Sequence, residues 1–263
     1  MLRAPSVLSR TNLSTDVVLD GLSKRYDALE ALAPLSLRVE QGETVALLGP
    51  SGSGKTTLLL LLSGQMEPDT GRIVLSGRDM ARMRSGRERA RLVGMVHQQF
   101  DLVPQLSALH NVLAGRLAEW SLWASMVSLV WPRDHDMAVA ALARMGVADR
   151  ADVRAGRLSG GEQQRVAIAR LLVQDPAVIL ADEPVASLDP ARAGEVLALL
   201  VSVARQSNKT LVASMHSVEL AREHFARLIG LRNGEVQFDL PNPQVTESML
   251  HALYDLRGLR GES

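Results

Sequence analysis

Eight residues, "GPSGSGKT" from Gly49 to Thr56, place three glycines, two serines, a proline, a lysine and a threonine in one short run. Residues this small let successive backbone N–H groups turn toward a single anion, and a helix that starts just after them adds its positive end. Lys55 brings a point charge for β- and γ-phosphates, and the Thr56 hydroxyl is a hard oxygen ligand for Mg²⁺. The spacing is that of a phosphate-binding loop. Gly49, Pro50, Ser51, Gly52, Ser53, Gly54, Lys55, Thr56 and the adjoining Thr57 are therefore expected to cradle a nucleotide such as ATP. A plain glycine turn with a solvated lysine would need neither the apolar strand before it nor the helix after it.

A second apolar strand, "VILADEP" (Val178–Pro184), ends in two acids. Set beside the strand that leads into the glycine loop, Asp182 would hold Mg²⁺ through water, and Glu183 would orient or deprotonate an attacking water. Taken alone, an acidic pair after a strand is most simply a helix cap or a turn. The phosphate loop in the same chain is what turns the reading toward hydrolysis.

A third stretch, "RLSGGEQQRVAIAR" (Arg157–Arg170), contains another glycine pair at a helix start. Ser159 suits the N-cap, Gly160 and Gly161 allow close backbone approach, and the helix that follows is amphipathic, so this turn is a second anion cradle. One chain with one phosphate loop has no anion to spare for it. Two copies paired head to tail about a twofold axis solve the problem, because each glycine pair then faces the nucleotide held by the other copy.

The elements that must position these groups are legible in outline. "TVALL" (Thr44–Leu48) reads as a strand buried on both faces, "KTTLLLLLSG" as a buried helix ending at Gly64, and "LSLRV", "GRIVLSG" and "LVGMVHQ" as further strands. From Ser107 to about Ala155 the periodicity is helical. Helix Gly160–Leu172, strand Val178–Ala181, helix Ala191–Gln206, strand Thr210–Ser214 and helix Val218–Phe225 then alternate, which predicts an α/β fold with a mainly parallel sheet. "RLIGLRNGEVQFDL" reads as a closing hairpin, since Asn233-Gly234 suits a two-residue type I′ turn.

Composition excludes several alternatives. The 29 basic and 29 acidic residues leave no net field for nonspecific nucleic-acid binding, and the absence of cysteine removes disulfides and thiolate metal sites. The first residues, "MLRAPSVLSRTNLSTD", have no apolar core of a secretion signal, and no run approaches the roughly eighteen apolar residues of a membrane span. A soluble chain, or one held at a membrane by something else, is expected.

With these motifs in this order, the chain resembles the ATP-binding cassette subunit of ABC transporters from about Val17 to Asp239. "LSGGEQ" (Leu158–Gln163) matches the family signature, with Glu162 where glutamine is more usual. The resemblance implies a P-loop NTPase cassette: a parallel core and an antiparallel β subdomain over 16–98 and 158–240, a helical subdomain inserted over 99–157, a variable extension over 1–15 and a helical tail over 241–263. It also implies that Tyr26 stacks on adenine, that Gln98 senses Mg²⁺ and water and links to the permease, and that His216 contacts the γ-phosphate. Asp189 of "SLD" (Ser187–Asp189) would cross the dimer interface, and Ser159, Gly160, Gly161 and Glu162 would bind the other copy's nucleotide. The implied cofactors are ATP and Mg²⁺. The implied partners are a second copy, transmembrane permease subunits at the cytoplasmic face of the plasma membrane and, indirectly, an extracytoplasmic substrate-binding protein.

Three stretches, "NVLAGRL" (Asn111–Leu117), "ILADEPVASLDP" (Ile179–Pro190) and "TESMLHALYDL" (Thr246–Leu256), resemble the ATPase subunit of phosphonate importers. His97 departs from that group, which commonly has phenylalanine there. "LSGGEQQRVAIAR" is shared with cassettes that drive lipoprotein and macrolide extrusion, so export is the alternative. A soluble cassette acting on DNA or ribosomes would call for a long coiled-coil insertion or a second cassette, and the chain has neither. A regulatory module without hydrolysis is disfavoured by Lys55, Asp182, Glu183 and His216 together.

Two stretches remain. "WSLWASMVSLVW" (Trp120–Trp131) carries all three tryptophans and no charge; it is either packed lobe core or part of a groove for the permease's coupling helix. The arginine-rich "RDMARMRSGRERAR" (Arg78–Arg91) reads as a solvated helix face, not a nucleic-acid arm. His97, His110, His135, His224 and His251 show no metal-ligand spacing.

Overall fold

The computed structural model describes residues 15–27, 29–83, 85–97, 101–120, 134–186 and 188–255. In chain order the strands are β1 (Thr15–Tyr26), β2 (Leu29–Glu40), β3 (Thr44–Leu48), β4 (Thr70–Leu75), β5 (Arg78–Asp79), β6 (Val93–Val96), β7 (Val178–Asp182), β8 (Thr210–Ser214), β9 (Arg227–Arg232) and β10 (Glu235–Pro241). The helices are α1 (Lys55–Ser63), α2 (Gly86–Leu92), α3 (Ala108–Leu113), α4 (His135–Arg144), α5 (Gly160–Gln174), α6 (Pro190–Gln206), α7 (Val218–His224) and α8 (Glu247–Tyr254).

Strands β2, β1, β4 and β5 form one antiparallel sheet in that order. The other sheet runs β10-β9-β3-β8-β7-β6, parallel throughout except for the β9–β10 hairpin. This is the expected α/β cassette, with a mainly parallel sheet, an antiparallel sheet and helices.

Alternation along the buried strands separates two cores. Val45 and Leu47 of β3, Val178 and Leu180 of β7, and Val212 of β8 face α1 and the antiparallel sheet. Ala46 and Leu48, Ile179 and Ala181, and Leu211 and Ala213 face the opposite core, built from α3 through α8. A strand with period two and apolar residues at every position can do this only when both faces are covered. Helix α1 buries Leu58, Leu59, Leu61 and Leu62, which explains a run of leucines without a polar stripe.

The structure refines the sequence reading at several points. β7 is not beside β3, because β8 lies between them and pairs with both. The acids of β7 therefore reach the glycine loop across the end of β8. Residues 78–91 do not form one helix face; they divide into β5, a 3-10 turn at Met80–Arg82 and the short helix α2, with Arg89 donating to the Gly64 carbonyl at 3.1 Å. Helix α5 runs two residues past its expected end, to Gln174. At the β9–β10 turn Asn233 and Gly234 have φ of +50° and +77°, the left-handed pair that type I′ requires. Trp120 is buried in the helical core. The rest of the tryptophan stretch, including Trp123 and Trp131, lies outside the described residues. Among the described residues no helix is long and apolar enough to cross a membrane.

Candidate functional site

The glycine loop joins the end of β3 to the start of α1. Gly49 sits at φ +148°, and a Cβ there would come within 2.0 Å of the Leu231 carbonyl oxygen, so β9 leaves room for glycine alone. Gly54, at φ +101°, occupies the N-cap of α1 and brings no side chain to bond the first N–H groups of the helix, which stay directed at whatever the loop holds. The Lys55 side chain runs back inside the loop, and its Nζ donates to Gly49 O at 2.7 Å, Pro50 O at 3.0 Å and Ser53 Oγ at 3.4 Å. Burial pushes this ammonium below the usual lysine range, and the carboxylates of Glu183 and Asp182 act against that shift. Folding has already stripped part of its hydration, so an incoming phosphate meets a charge that has little water left to shed.

Asp182, the last residue of β7, accepts from Thr56 Oγ1 at 3.3 Å and from Ser214 Oγ at 2.6 Å, both on Oδ1. Ser214 Oγ in turn accepts the Glu183 N–H at 2.8 Å. Glu183 is in the left-handed region at φ +48°, and its Oε1 lies 2.5 Å from His216 Nε2. One buried hydroxyl, inserted by β8, thus fixes the side chain of one acid and the backbone of the next. Sequence reading missed Ser214; its only signal is a serine closing the strand "TLVAS" two residues before His216.

The oxygens Thr56 Oγ1 and Asp182 Oδ1 are hard donors and only two in number. That set fits Mg²⁺, which keeps several waters and takes its other ligands from substrate phosphates. Gln98, the third expected metal residue, lies outside the described residues. So does Ser187.

Elsewhere the expected residues fall on other elements. Ser159 caps α5: its hydroxyl accepts the Glu162 N–H at 3.3 Å while Glu162 Oε2 accepts the Ser159 N–H at 2.8 Å, a reciprocal capping box. Glu162 Oε1 also accepts from Arg150 Nε at 2.7 Å. The Arg150 hydrogen bond, followed by that of the Ser159 N–H, holds the Glu162 carboxyl below the usual glutamate range. Among the described residues, nothing beyond the helix's own backbone and the adjoining residues lies within 4 Å of where a Cβ would sit on Gly160 or Gly161, so that side of the turn is open. Asp189 caps α6 by accepting the Arg192 N–H at 3.1 Å. Tyr26 ends β1 with its ring exposed and its hydroxyl 3.0 Å from Met66 Sδ. The structure thus links Thr56, Asp182, Glu183 and His216 through Ser214, keeps Lys55 on the loop carbonyls beside them, and leaves the signature turn, Asp189 and Tyr26 outside these hydrogen bonds.

Backbone amides and a buried lysine at the carboxyl edge of a parallel sheet, with acids from the end of the strand one place further along turned toward them, are how P-loop nucleoside triphosphatases hold a triphosphate, and this chain is one. The family model for ABC transporters matches residues 32–186. The phosphonates import ATP-binding protein PhnC 1 of Pseudomonas aeruginosa is 47% identical over 247 residues, which span 93% of this chain and 92% of that protein. The dimeric post-hydrolysis structure of the cassette MJ0796 bound to ADP and Pi superimposes with a TM-score of 0.75 at 31% identity, covering 86% of this chain and 98% of that one. An inward-facing putative metal-chelate type ABC transporter gives a TM-score of 0.78 at 27% identity over 92% of this chain and 89% of that one. The chain belongs to the ABC transporter family, as an ATP-hydrolysing cassette.

Proposed function

We propose that this cassette powers the import of phosphonates or related phosphate esters through a partner permease, from the cytoplasmic face of the plasma membrane. The observation that carries the substrate class is the 47% identity to a phosphonate import ATPase over 93% of the chain. The cluster at the end of β7 and β8 supports hydrolysis as the source of power.

The phosphate loop, Gly49 through Thr57, holds ATP, with Lys55 drawn from the loop carbonyls onto the β- and γ-phosphates. Thr56 and Asp182, together with Gln98, would hold Mg²⁺, which would neutralise phosphate charge there. Tyr26 meets the adenine. Two copies close head to tail, and Ser159, Gly160, Gly161 and Glu162 of each copy face the triphosphate of the other, with Asp189 at the shared interface. Closure drives the permease between its two orientations, and hydrolysis resets it. In that step Glu183 takes a proton from water as the water oxygen bonds the γ-phosphorus and the bond to the β-phosphate oxygen breaks; His216, 2.5 Å from Glu183, steadies the γ-phosphate.

The test is ATPase activity of the cassette assembled with its permease in lipid, with the substrate-binding protein and methylphosphonate, phosphate or no ligand. Stimulation selective for methylphosphonate is expected. A complex that hydrolyses ATP yet ignores both ligands would move the assignment to another substrate or to export.

A further inference from the structure

The C-terminal helix, which the mechanism above does not use, reaches the phosphate loop. Helix α8 is capped by Thr246, whose hydroxyl accepts the Met249 N–H, and buries Leu250 and Leu253 in the core. It is tied down at both ends. Arg222 of α7 donates to Val245 O at 2.8 Å and pairs with Glu247 at 3.1 Å. Arg232, the last residue of β9, donates to Ala252 O at 2.6 Å and Asp255 O at 2.7 Å, taking up carbonyls that the end of a helix leaves without partners. The last helical residue, Tyr254, is thereby held with its hydroxyl accepting the Gly49 N–H at 3.1 Å. Burial pushes the phenol above the usual tyrosine range, so it stays neutral wherever the protein works.

Gly49 is the first residue of the loop, and each of its backbone groups is engaged. Its N–H goes to Tyr254, its carbonyl oxygen accepts from Lys55 Nζ, and its Cα abuts the Leu231 carbonyl. When Lys55 moves onto a phosphate, it gives up the Gly49 carbonyl of the Gly49–Pro50 peptide, and the Tyr254 hydroxyl on the Gly49 N–H is the side-chain hydrogen bond that still holds this first residue of the loop. We propose that Tyr254 is a positioning residue for the phosphate loop, through which the C-terminal helix sets the affinity for nucleoside di- and triphosphates. The proposal rests on Gly49–Thr56 being the ATP cradle.

The experiment is calorimetric titration of the full-length chain with ADP and Mg²⁺, together with steady-state ATPase assays. Tyr254→Phe keeps the ring and removes only the oxygen. One neutral hydrogen bond corresponds to a loss of about five- to tenfold, so the Kd for ADP and the KM for ATP should rise by that factor with kcat at saturation unchanged. Arg232→Gln, which loosens the helix end, should weaken ADP binding in the parent but add nothing in the Tyr254→Phe background. An ADP Kd within about twofold of the parent, a fall in kcat without a rise in KM, or an additive double variant would each overturn the proposal. A parent chain that bound no ADP would instead sink the cradle assignment, and the proposal with it.

Discussion

Glu183 and His216 meet side chain to side chain, Oε1 to Nε2 at 2.5 Å, although 32 residues, the helix α6 and the strand β8 separate them. The strands they follow are neighbours in the sheet, so both side chains emerge at the same edge, Glu183 one residue beyond β7 and His216 two beyond β8. A carboxylate so placed can accept a proton without leaving its partner. Glu183→Gln keeps the size and loses the base, and is expected to bind ATP, lower kcat by on the order of 10²-fold or more, and accumulate as an ATP-bound dimer in size-exclusion chromatography. A monomeric variant with full activity would refute both the base assignment and the paired arrangement.

Ser214 is the hinge of the acid pair. Ser214→Ala removes the hydrogen bond to Asp182 and leaves the Glu183 N–H without its acceptor. Loss of such a buried bond costs about 1–3 kcal/mol, so denaturant unfolding should show that loss, and the Mg²⁺ concentration for half-maximal ATPase should rise. Unchanged stability and Mg²⁺ dependence would show that Asp182 and Glu183 are placed by other means.

Two glycines of the phosphate loop should respond differently. At Gly49 an added methyl meets a backbone carbonyl at 2.0 Å, and backbone cannot step aside. Gly49→Ala is expected to abolish ADP binding. Gly52, at φ +79°, has nothing within 4 Å of the same position, so Gly52→Ala bears only the left-handed strain of about 1–2 kcal/mol and should stay folded with measurable binding. Both effects can be read in one titration series with melting curves.

The pairing of Arg150 with Glu162 predicts a pH dependence. The folded-state value of Glu162 is depressed below 4.5, first by Arg150, so its contribution to the α5 cap is present above 4.5 and lost as pH falls through the lower, folded value. Arg150→Ala removes the largest cause, and the folded value climbs back toward 4.5. The contribution then shrinks and disappears at a higher pH, so the acid-unfolding midpoint should move up. Glu162→Gln has no carboxyl to titrate, and in that background Arg150→Ala should shift the midpoint less than in the parent, since only the Arg150 pairing with Asp149 is left to lose.

Much of this molecule is local and therefore readable from the chain alone. The glycine spacing of Gly49–Thr56, the N-cap and N3 glutamate of Ser159–Glu162 and the Asn233-Gly234 turn all specify backbone conformations within a few residues, and a chain reports such preferences directly. Apolar runs such as "TVALL" and "VILAD" report strands buried on both faces for the same reason. Strand order is another matter. Nothing in the run of residues places β8 between β3 and β7, and that insertion is what delivers Ser214 to Asp182 and Glu183 and sets His216 beside the acid. Nor does any spacing announce that Tyr254 meets Gly49 across 205 residues, or that Arg150 neutralises Glu162. The chemistry was written in residue types and short spacings, because catalytic groups and backbone turns are local. Which hydroxyl, guanidinium or phenol supports each group was decided by the tertiary structure, because hydrogen bonds between distant segments exist only once the sheet has brought their strands together.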